Sequence, residues 1–308
     1  MNYILELLLD ILSISFPYAL LSLGIFLSYQ ILKMADLTAE GSFTLGGVVT
    51  LTTIVLKCNP LVSTLLAIIF GFMAGVITGV LHTKLKIPSL LAGIITMTAL
   101  VSINLVIMGL SVKNSASSNA VVLPNNLNTI FSYVKIFTGS ISMLNQVLIS
   151  LIVVLIICFF IYWFYGTKLG MAIRATGINP LMAKAQGINV ETMIIIGLGV
   201  SNSLIALGGS LFAQRNRSFE IGSGTGALII GLAAVIIGEV ILGNKTFKKR
   251  LIGVVLGSIL YFLIVSLAIE IGLPTYLKNL LYAVMITIAL TLPLIKKKII
   301  NWKEKPTC

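Results

Sequence analysis

The sequence predicts an all-α membrane protein, built as a polytopic bundle of eight or nine helical spans. Hydrophobic residues make up 58% of the chain and charged residues only 10%. Apolar runs of about 20 residues recur along it, the length that crosses the roughly 30 Å hydrocarbon core of a bilayer. Runs such as 144–165 and 251–270 would expose large apolar patches in a soluble domain. We therefore expect residues 1–308 to form one transmembrane domain.

Nine candidate spans follow one another along the chain, and the second of them is short. Gly41, Gly46 and Gly47 are expected to soften the helix there, so the second segment is predicted to be broken and to line a cavity. The candidate spans are residues 11–32, 43–56, 61–82, 87–109, 144–165, 191–213, 225–243, 251–270 and 278–295.

Basic residues lie in the connectors between spans, and their distribution predicts the orientation of the chain. A cytoplasmic C-terminal tail places 15 Lys and Arg residues inside and six outside or at the outer boundary. Because positively charged connectors stay in the cytoplasm, this orientation is preferred. Residues 166–190 and 296–308 are then cytoplasmic, and the connector 110–143 is external. The net charge of +12 indicates this orientation, and no nucleic-acid partner is expected.

Two pairs of similar segments suggest an internal repeat. LGIFLSYQ at 23–30 resembles LGGSLFAQ at 207–214, and IPSLLAGII at 87–95 resembles LPTYLKNLL at 273–281. The two blocks would begin at spans one and six and would be oppositely oriented, as in transporters with inverted repeats. Chance similarity between apolar segments remains the alternative.

A polar segment at 166–189, GTKLGMAIRATGINPLMAKAQGIN, interrupts the apolar chain. Asn179 is a helix N-cap, Pro180 suits the first helical position and Gly187 is a stop, which predicts a helix at 180–186. Such a short helix needs tertiary support, and an apolar face surrounded by positive charge would dock into a groove on another protein. The alternative is an ordinary loop along the membrane surface. The apolar face consists of Leu181, Met182 and Ala185.

Several polar side chains lie in or near the apolar segments, where an unpaired charge costs at least a few kcal/mol. They are expected to line a translocation pathway between the helices. The alternatives are hydrogen bonds that hold the bundle together and, for the first two acids, capping of the broken helix. These residues are Asp36, Thr38, Glu40, Ser42, Thr96, Asn104, Asn202 and Glu239.

The chain lacks the residues of common catalytic sites. Its three cysteines are scattered and it has one histidine, so neither a metal site nor a haem site is supported. The glycine-rich stretch GSGTGAL at 222–228 lacks the lysine of a phosphate-binding loop. We expect no cofactor, no metal and no enzymatic activity, including ATP hydrolysis by this chain.

Three segments resemble the permeases of ABC importers of the branched-chain amino acid and ribose type. LGMAIRATGINPLMAKAQGIN at 169–189 resembles their cytoplasmic coupling segment. ADLTAEGSFTLGG at 35–47 resembles the broken-helix motif after their first span, and GLAAVIIGEVILGN at 231–244 resembles a later glycine-rich span. The form DLTAEGSF and the Gly238-Glu239 pair suggest the branch that includes tryptophan-type amino-acid permeases.

The resemblance implies a homodimeric permease in the bacterial inner membrane, with two ATP-binding subunits below and a substrate-binding protein above. Residues 166–190 would contact the ATPase, and the solute would be an amino acid or a similar small polar molecule. A secondary transporter coupled to protons through Glu40 or Glu239 is the alternative, but it gives the capped cytoplasmic helix no role. The coupling residues would be Arg174, Ala175, Gly177, Asn179, Pro180, Leu181, Met182, Ala183, Ala185 and Gly187.

Overall fold

The computed structural model describes residues 2–111, 119–133, 142–243 and 246–271, together with 280, 283, 284, 287 and 291. Seven helices within these residues are long and apolar enough to cross a bilayer. The polytopic helical fold is therefore confirmed. The predicted last span, 278–295, lies almost wholly outside the described residues, so a count of eight or nine spans stays a prediction.

The chain forms eleven α-helices and one short two-stranded sheet within the described residues. Helix α1 continues directly into a π-helix at Phe26–Ile31, and a 3₁₀ turn at Ile221–Gly224 precedes α10. Strand β1 (Ala120–Val122) pairs antiparallel with β2 (Ser218–Glu220). The helices are α1 (Asn2–Ile25), α2 (Thr38–Val55), α3 (Pro60–Thr83), α4 (Ser89–Ser111), α5 (Ile130–Tyr133), α6 (Ser142–Phe164), α7 (Lys168–Ile178), α8 (Pro180–Ala185), α9 (Val190–Asn216), α10 (Ala227–Leu242) and α11 (Phe247–Glu270).

Helix α2 lies inside the bundle, packed against α3, α4 and α9. It runs without interruption over 18 residues, most of them buried. A Cβ atom on Gly46 would lie 2.0 Å from the carbonyl oxygen of Ala206, so this glycine lets the backbones of α2 and α9 touch. The expectation that the glycines soften this helix was wrong, because they serve close packing. The break lies before α2, where the chain between Leu32 and Leu37 is not helical.

Part of the predicted external connector packs onto the end of α9. The Arg217 guanidinium donates hydrogen bonds to the carbonyl oxygens of Pro124 and Leu127, at 2.9 and 2.8 Å. The Gln214 side chain accepts a hydrogen bond from the backbone N–H of Ile130 at 2.9 Å. Residues 119–133 are thus held beside β2 at the end of α9.

The predicted inverted repeat is not tested by the described residues. The segment 207–214 lies within α9, and its proposed counterpart 23–30 runs from α1 into the π-helix. Segment 273–281 lies outside the described residues apart from Leu280. The repeat stays a prediction at this point.

Candidate functional site

Asp36 lies at the non-helical break before α2 and is 4% exposed. One carboxylate oxygen accepts a hydrogen bond from the backbone N–H of Thr38 at 2.9 Å. The other accepts from the amide nitrogen of Asn202 at 2.7 Å. The acid thus satisfies the first amide of α2 and links the break to α9, as the capping alternative anticipated.

Further hydrogen bonds extend this contact to a third helix. The Ser42 hydroxyl donates to the amide oxygen of Asn202 at 2.7 Å. The hydroxyls of Thr38 and Thr78 lie 2.7 Å apart and share a hydrogen bond. We call Asp36, Thr38, Ser42, Thr78 and Asn202 the central polar cluster. Sequence reasoning missed Thr78, because a single threonine in the apolar run of α3 carries no signal of its own.

The depth of the central polar cluster follows from its position on α9. Asn202 lies 12 residues after Val190, the first residue of this 27-residue helix. With a rise of 1.5 Å per residue, the amide lies about 18 Å along the helix axis. The cluster is therefore close to the middle of the bundle.

Glu40, in the first turn of α2, contacts the start of α10. Its carboxylate accepts a hydrogen bond from the backbone N–H of Gly226 at 3.0 Å. Gly226 has φ +79 and is the N-cap of α10. A Cβ on Gly224 would lie 2.1 Å from the Thr44 hydroxyl, so the turn before α10 is pressed against α2. The N-termini of α2 and α10 therefore meet beside one carboxylate, which suits their positive ends.

Thr96 and Asn104 lie on α4, and both are buried. The Thr96 hydroxyl donates to the carbonyl of Ala92 in its own helix at 3.0 Å. Neither polar atom of the Asn104 amide has a hydrogen-bond partner among the described residues. Leu100, one turn before Asn104, contacts Gly41 of α2. Asn104 is therefore a buried, unsatisfied amide on a helix that packs against α2.

Glu239 lies apart from the central polar cluster, near the other end of α10. Its carboxylate accepts a hydrogen bond from the Gln30 amide at 2.7 Å and lies 3.9 Å from the Arg250 guanidinium. Arg250 also donates to the Gln30 amide oxygen. The structure thus places Glu239 in a polar group that joins the π-helix, α10 and α11.

The polar segment forms a corner of two helices before α9, which we call the coupling corner (residues 167–189). Both of its helices, and α9 after them, begin at a residue whose side chain caps the helix N-terminus. Thr167 accepts from the Gly170 amide at 3.3 Å, Asn179 from the Met182 amide at 3.1 Å and Asn189 from the Thr192 amide at 3.2 Å. The predicted helix at 180–186 is present as α8, and Gly187 follows it with φ +80.

The coupling corner presents an exposed apolar pair and buries one of its alanines. Leu181 is 82% exposed and Met182 is 60% exposed. Ala185 and Pro180 are also exposed, Ala175 is half-buried, and Ala183 is buried at 2% exposure. The exposed pair therefore has no counterpart within the described part of this chain that covers it.

The coupling corner also touches the bundle directly. A Cβ on Gly177 would lie 1.8 Å from the carbonyl oxygen of Ile31, so α7 rests on the end of the π-helix. The Arg174 guanidinium lies 5.0 Å from the ring centroid of Phe247 in α11. Displacement of the coupling corner would therefore also displace the end of the π-helix and the start of α11.

Comparison with known proteins identifies the family. Residues 7–290 match the family described as branched-chain amino acid transport system / permease component. The chain belongs to this permease family. It is therefore a multi-pass membrane protein of the ABC importer type. No solved structure matches the permease.

Curated relatives cover most of the permease. A tyrosine transport system permease protein of Clostridioides difficile is 35% identical over 279 residues, 91% of this chain and 88% of the relative. An uncharacterized protein of Rickettsia prowazekii is 30% identical over 88% of this chain and 92% of its own length. The ribose import permease protein of Escherichia coli K12 is 27% identical over 82% of this chain and 75% of its own length.

Proposed function

We propose that this permease is the membrane-spanning subunit of an ATP-driven importer and forms its solute pathway. A separate ATP-binding subunit, present in two copies, docks on the coupling corner. The observation that carries the proposal is the exposed Leu181–Met182 pair on a helix fixed at both ends by Asn179 and Gly187. A short amphipathic helix of this kind inserts into a partner groove.

The contacts supply a route from the coupling corner to the central polar cluster. Movement of α8 is transmitted to α7, which rests through Gly177 on Ile31. Ile31 ends the π-helix, and the non-helical break begins one residue later. Asp36, within this break, is hydrogen-bonded to Asn202. A shift of the corner therefore displaces the segment that holds the buried carboxylate.

The solute we propose is an amino acid or a similar small polar molecule. The tyrosine transport permease of C. difficile supports this class. The unsatisfied Asn104 amide offers a donor and an acceptor to a polar solute. The proposed pathway residues are Asp36, Thr38, Glu40, Ser42, Thr96, Asn104, Asn202 and, nearer the other end of α10, Glu239.

The assembly we propose contains two copies of the permease, two ATP-binding subunits and one substrate-binding protein on the external side. The inverted repeat belongs to the same proposal. Helices α2 and α10, at corresponding places in the two predicted blocks, are the short helices whose N-termini meet at Glu40. Paired short helices of this kind accompany the binding sites of transporters with inverted repeats.

The orientation can be tested by cysteine labelling in intact cells. Native Cys58 is exposed and lies in a predicted external connector, so it should react with an impermeant maleimide. With the native cysteines replaced, Lys184→Cys on the coupling corner should react only after permeabilisation. Labelling of Lys184→Cys in intact cells, with protection of Cys58, would show the opposite orientation.

Docking of the ATPase is tested by Leu181→Glu, which places a charge in the exposed apolar pair. The variant should insert and melt normally, because Leu181 is exposed, but should lose copurification with the ATPase and ATP-driven uptake. Leu56→Glu is the control, because it places the same charge on another exposed leucine, at the C-terminal end of α2 and away from the coupling corner. Equal copurification of both variants would contradict the docking proposal. Ala183→Glu is a poorer test, because Ala183 is buried within the corner.

A secondary transporter coupled to protons through Glu40 or Glu239 is the second candidate, and the buried carboxylate of Asp36 adds a third acid within the bundle. The two mechanisms differ in their energy source. In vesicles that contain the whole assembly, an ATP-driven importer needs ATP and no pH gradient. Uptake by the permease alone, driven by an imposed pH gradient without ATP, would establish the secondary mechanism instead.

A further inference from the structure

A cavity of about 630 Å³ lies where the end of α6 meets the beginnings of α7 and α11. It is separate from the central polar cluster and from the exposed Leu181–Met182 pair. Its volume is within the range of small-molecule sites in proteins. The residues that matter here are Trp163, Thr167, Arg174, Thr246, Phe247 and Lys248.

The cavity is positively charged. Arg174 and Lys248 both line it, and neither forms an ion pair with the described residues. Their cationic groups lie over aromatic rings, Arg174 at 5.0 Å from the Phe247 centroid and Lys248 at 4.7 Å from the Tyr162 centroid. No acidic residue lines the cavity among the described residues. The aromatic contacts fix the two cations in place and leave their hydrogen-bond donors available.

Two helix N-termini open into the same cavity. Thr167 is the N-cap of the 11-residue α7, and Thr246 is the N-cap of the 24-residue α11. The Thr246 side chain makes no capping hydrogen bond. First-turn amides lack partners within their own helix, and the positive helix ends favour an anion. At α7 the Gly170 amide is already capped by Thr167, so the uncapped start of α11 is the end that adds to the two cations.

A buried, unsatisfied donor lies behind the wall of the cavity. Tyr165 is 1% exposed, and its hydroxyl has no hydrogen-bond partner among the described residues. Two cations with no acidic residue among the described residues of the lining are matched to an acceptor with several oxygens, such as a phosphate.

The neighbouring surface identifies the source of that phosphate. Tyr162 is 42% exposed and Trp163 is 60% exposed on α6, near the end that borders the cavity. Exposed aromatic residues at the end of a membrane helix mark the level of the lipid headgroups. Basic pockets between helices at this level bind anionic headgroups. The cavity therefore lies where a lipid phosphate resides.

We infer that the cavity between α6, α7 and α11 binds the headgroup of an anionic phospholipid, with the phosphate between Arg174 and Lys248. The bound lipid bridges the coupling corner to α11. Zwitterionic lipids carry the phosphate together with a compensating amine and bind more weakly.

The test uses Trp163 as the reporter, since it borders the cavity and the chain has two tryptophans. The full permease with Trp302→Phe is reconstituted in bilayers that contain brominated phosphatidylglycerol or brominated phosphatidylcholine at equal mole fraction. Quenching should favour phosphatidylglycerol. Lys248→Gln should weaken this preference about tenfold, as expected for the loss of one charge-assisted contact. Lys249→Gln is the matched control, because Lys249 is exposed but does not line the cavity.

Three outcomes would overturn the inference. Equal loss in Lys248→Gln and Lys249→Gln would show only a general surface attraction. Relief of quenching by millimolar inorganic phosphate would assign the cavity to free phosphate. Relief by the added ATP-binding subunit would assign it to the subunit interface. Retention of the preference in Lys249→Gln, with its loss in Lys248→Gln and no effect of phosphate or the ATPase, supports the lipid site.

Discussion

The contact of α2 with α9 and helix α8 of the coupling corner are built in opposite ways. Along α2 and α9 the backbones touch, since a Cβ on Gly46 or on Gly209 would lie 2.0 Å from a carbonyl oxygen of the other helix. In the coupling corner, by contrast, Leu181 and Met182 point outward, and side-chain caps hold the backbone.

This contrast determines which kind of substitution each region tolerates. Where α2 meets α9, glycines without side chains and buried hydrogen bonds determine the packing. Added atoms or lost hydrogen-bond partners there therefore lower the stability of the whole fold. At α8, the backbone is held locally by its cap, so the exposed side chains are free to contact a partner. Central variants should change stability, and corner variants should change coupling.

The largest effect is expected for Gly46→Ala. The new Cβ would lie 2.0 Å from the Ala206 oxygen, so α2 and α9 must separate. We expect a loss of about 1–3 kcal/mol or more, as for overpacked cores. Gly109→Ala in α4 is the matched control, because a Cβ there meets nothing within 4 Å. It should stabilise its helix by up to about 1 kcal/mol. Thermal melting in detergent measures both, and equal melting temperatures would contradict the packing argument.

The next largest effect is expected for Asp36→Asn. The new amide would face the Asn202 amide nitrogen, and a rotation of Asn202 to correct this would break the bond that it donates to the Leu198 carbonyl oxygen. One unsatisfied buried group costs about 1–3 kcal/mol. The double variant Asp36→Asn with Asn202→Asp re-forms the hydrogen bond between the two side chains with the roles exchanged and keeps the bonds from Thr38 and Ser42. It loses only the bond to the Leu198 carbonyl oxygen.

The double variant should therefore melt more like the native permease than Asp36→Asn does. Measuring uptake by the double variant then distinguishes a structural role of the carboxylate from a role in transport. Recovery of stability without transport would show that the carboxylate must lie on the break, whereas a native melting temperature for Asp36→Asn would contradict a stabilising role for the contact.

What the sequence predicts well is what is local. The cap at Asn179, the stop at Gly187 and the helix between them follow from neighbouring residues, and the apolar runs follow from composition. The break was misplaced because a glycine signals either a soft helix or a close contact. Only the partner backbone, such as Ala206 beside Gly46, distinguishes the two.

The site was predictable only in part, for the same physical reason. Asp36, Ser42 and Asn202 stood out as polar residues among apolar ones, and the structure brings them together. Thr78 and Gln30 did not stand out, because each forms its hydrogen bond with a residue that is distant in the sequence. Pairing of β1 with β2 likewise joins segments about 100 residues apart.

A smaller effect is expected for Asn179→Ala at the corner. Loss of the cap costs about 1 kcal/mol and is confined to α8. Amide exchange of Leu181 to Ala183 should accelerate and uptake should fall, while the melting temperature of the bundle stays within error. Gln186→Ala removes an exposed side chain at the other end of α8 and is the control. Equal exchange in the two variants would mean that Asn179 does not hold the corner.

The smallest change in stability is expected for Glu40→Gln. The glutamine oxygen can still accept the Gly226 amide, so the loss is the charge–dipole contribution of about 0.3–1 kcal/mol. Glu191→Gln is the matched control, an acid in the first turn of α9 whose exposed ion pair with Lys84 contributes little.

Uptake and ATP hydrolysis should be measured together in vesicles that contain the whole assembly. If Glu40 shapes the pathway, transport per ATP falls in Glu40→Gln and not in Glu191→Gln, although both melt normally. Unchanged transport per ATP in Glu40→Gln would show that Glu40 has only a structural role, as a cap that joins α2 to α10.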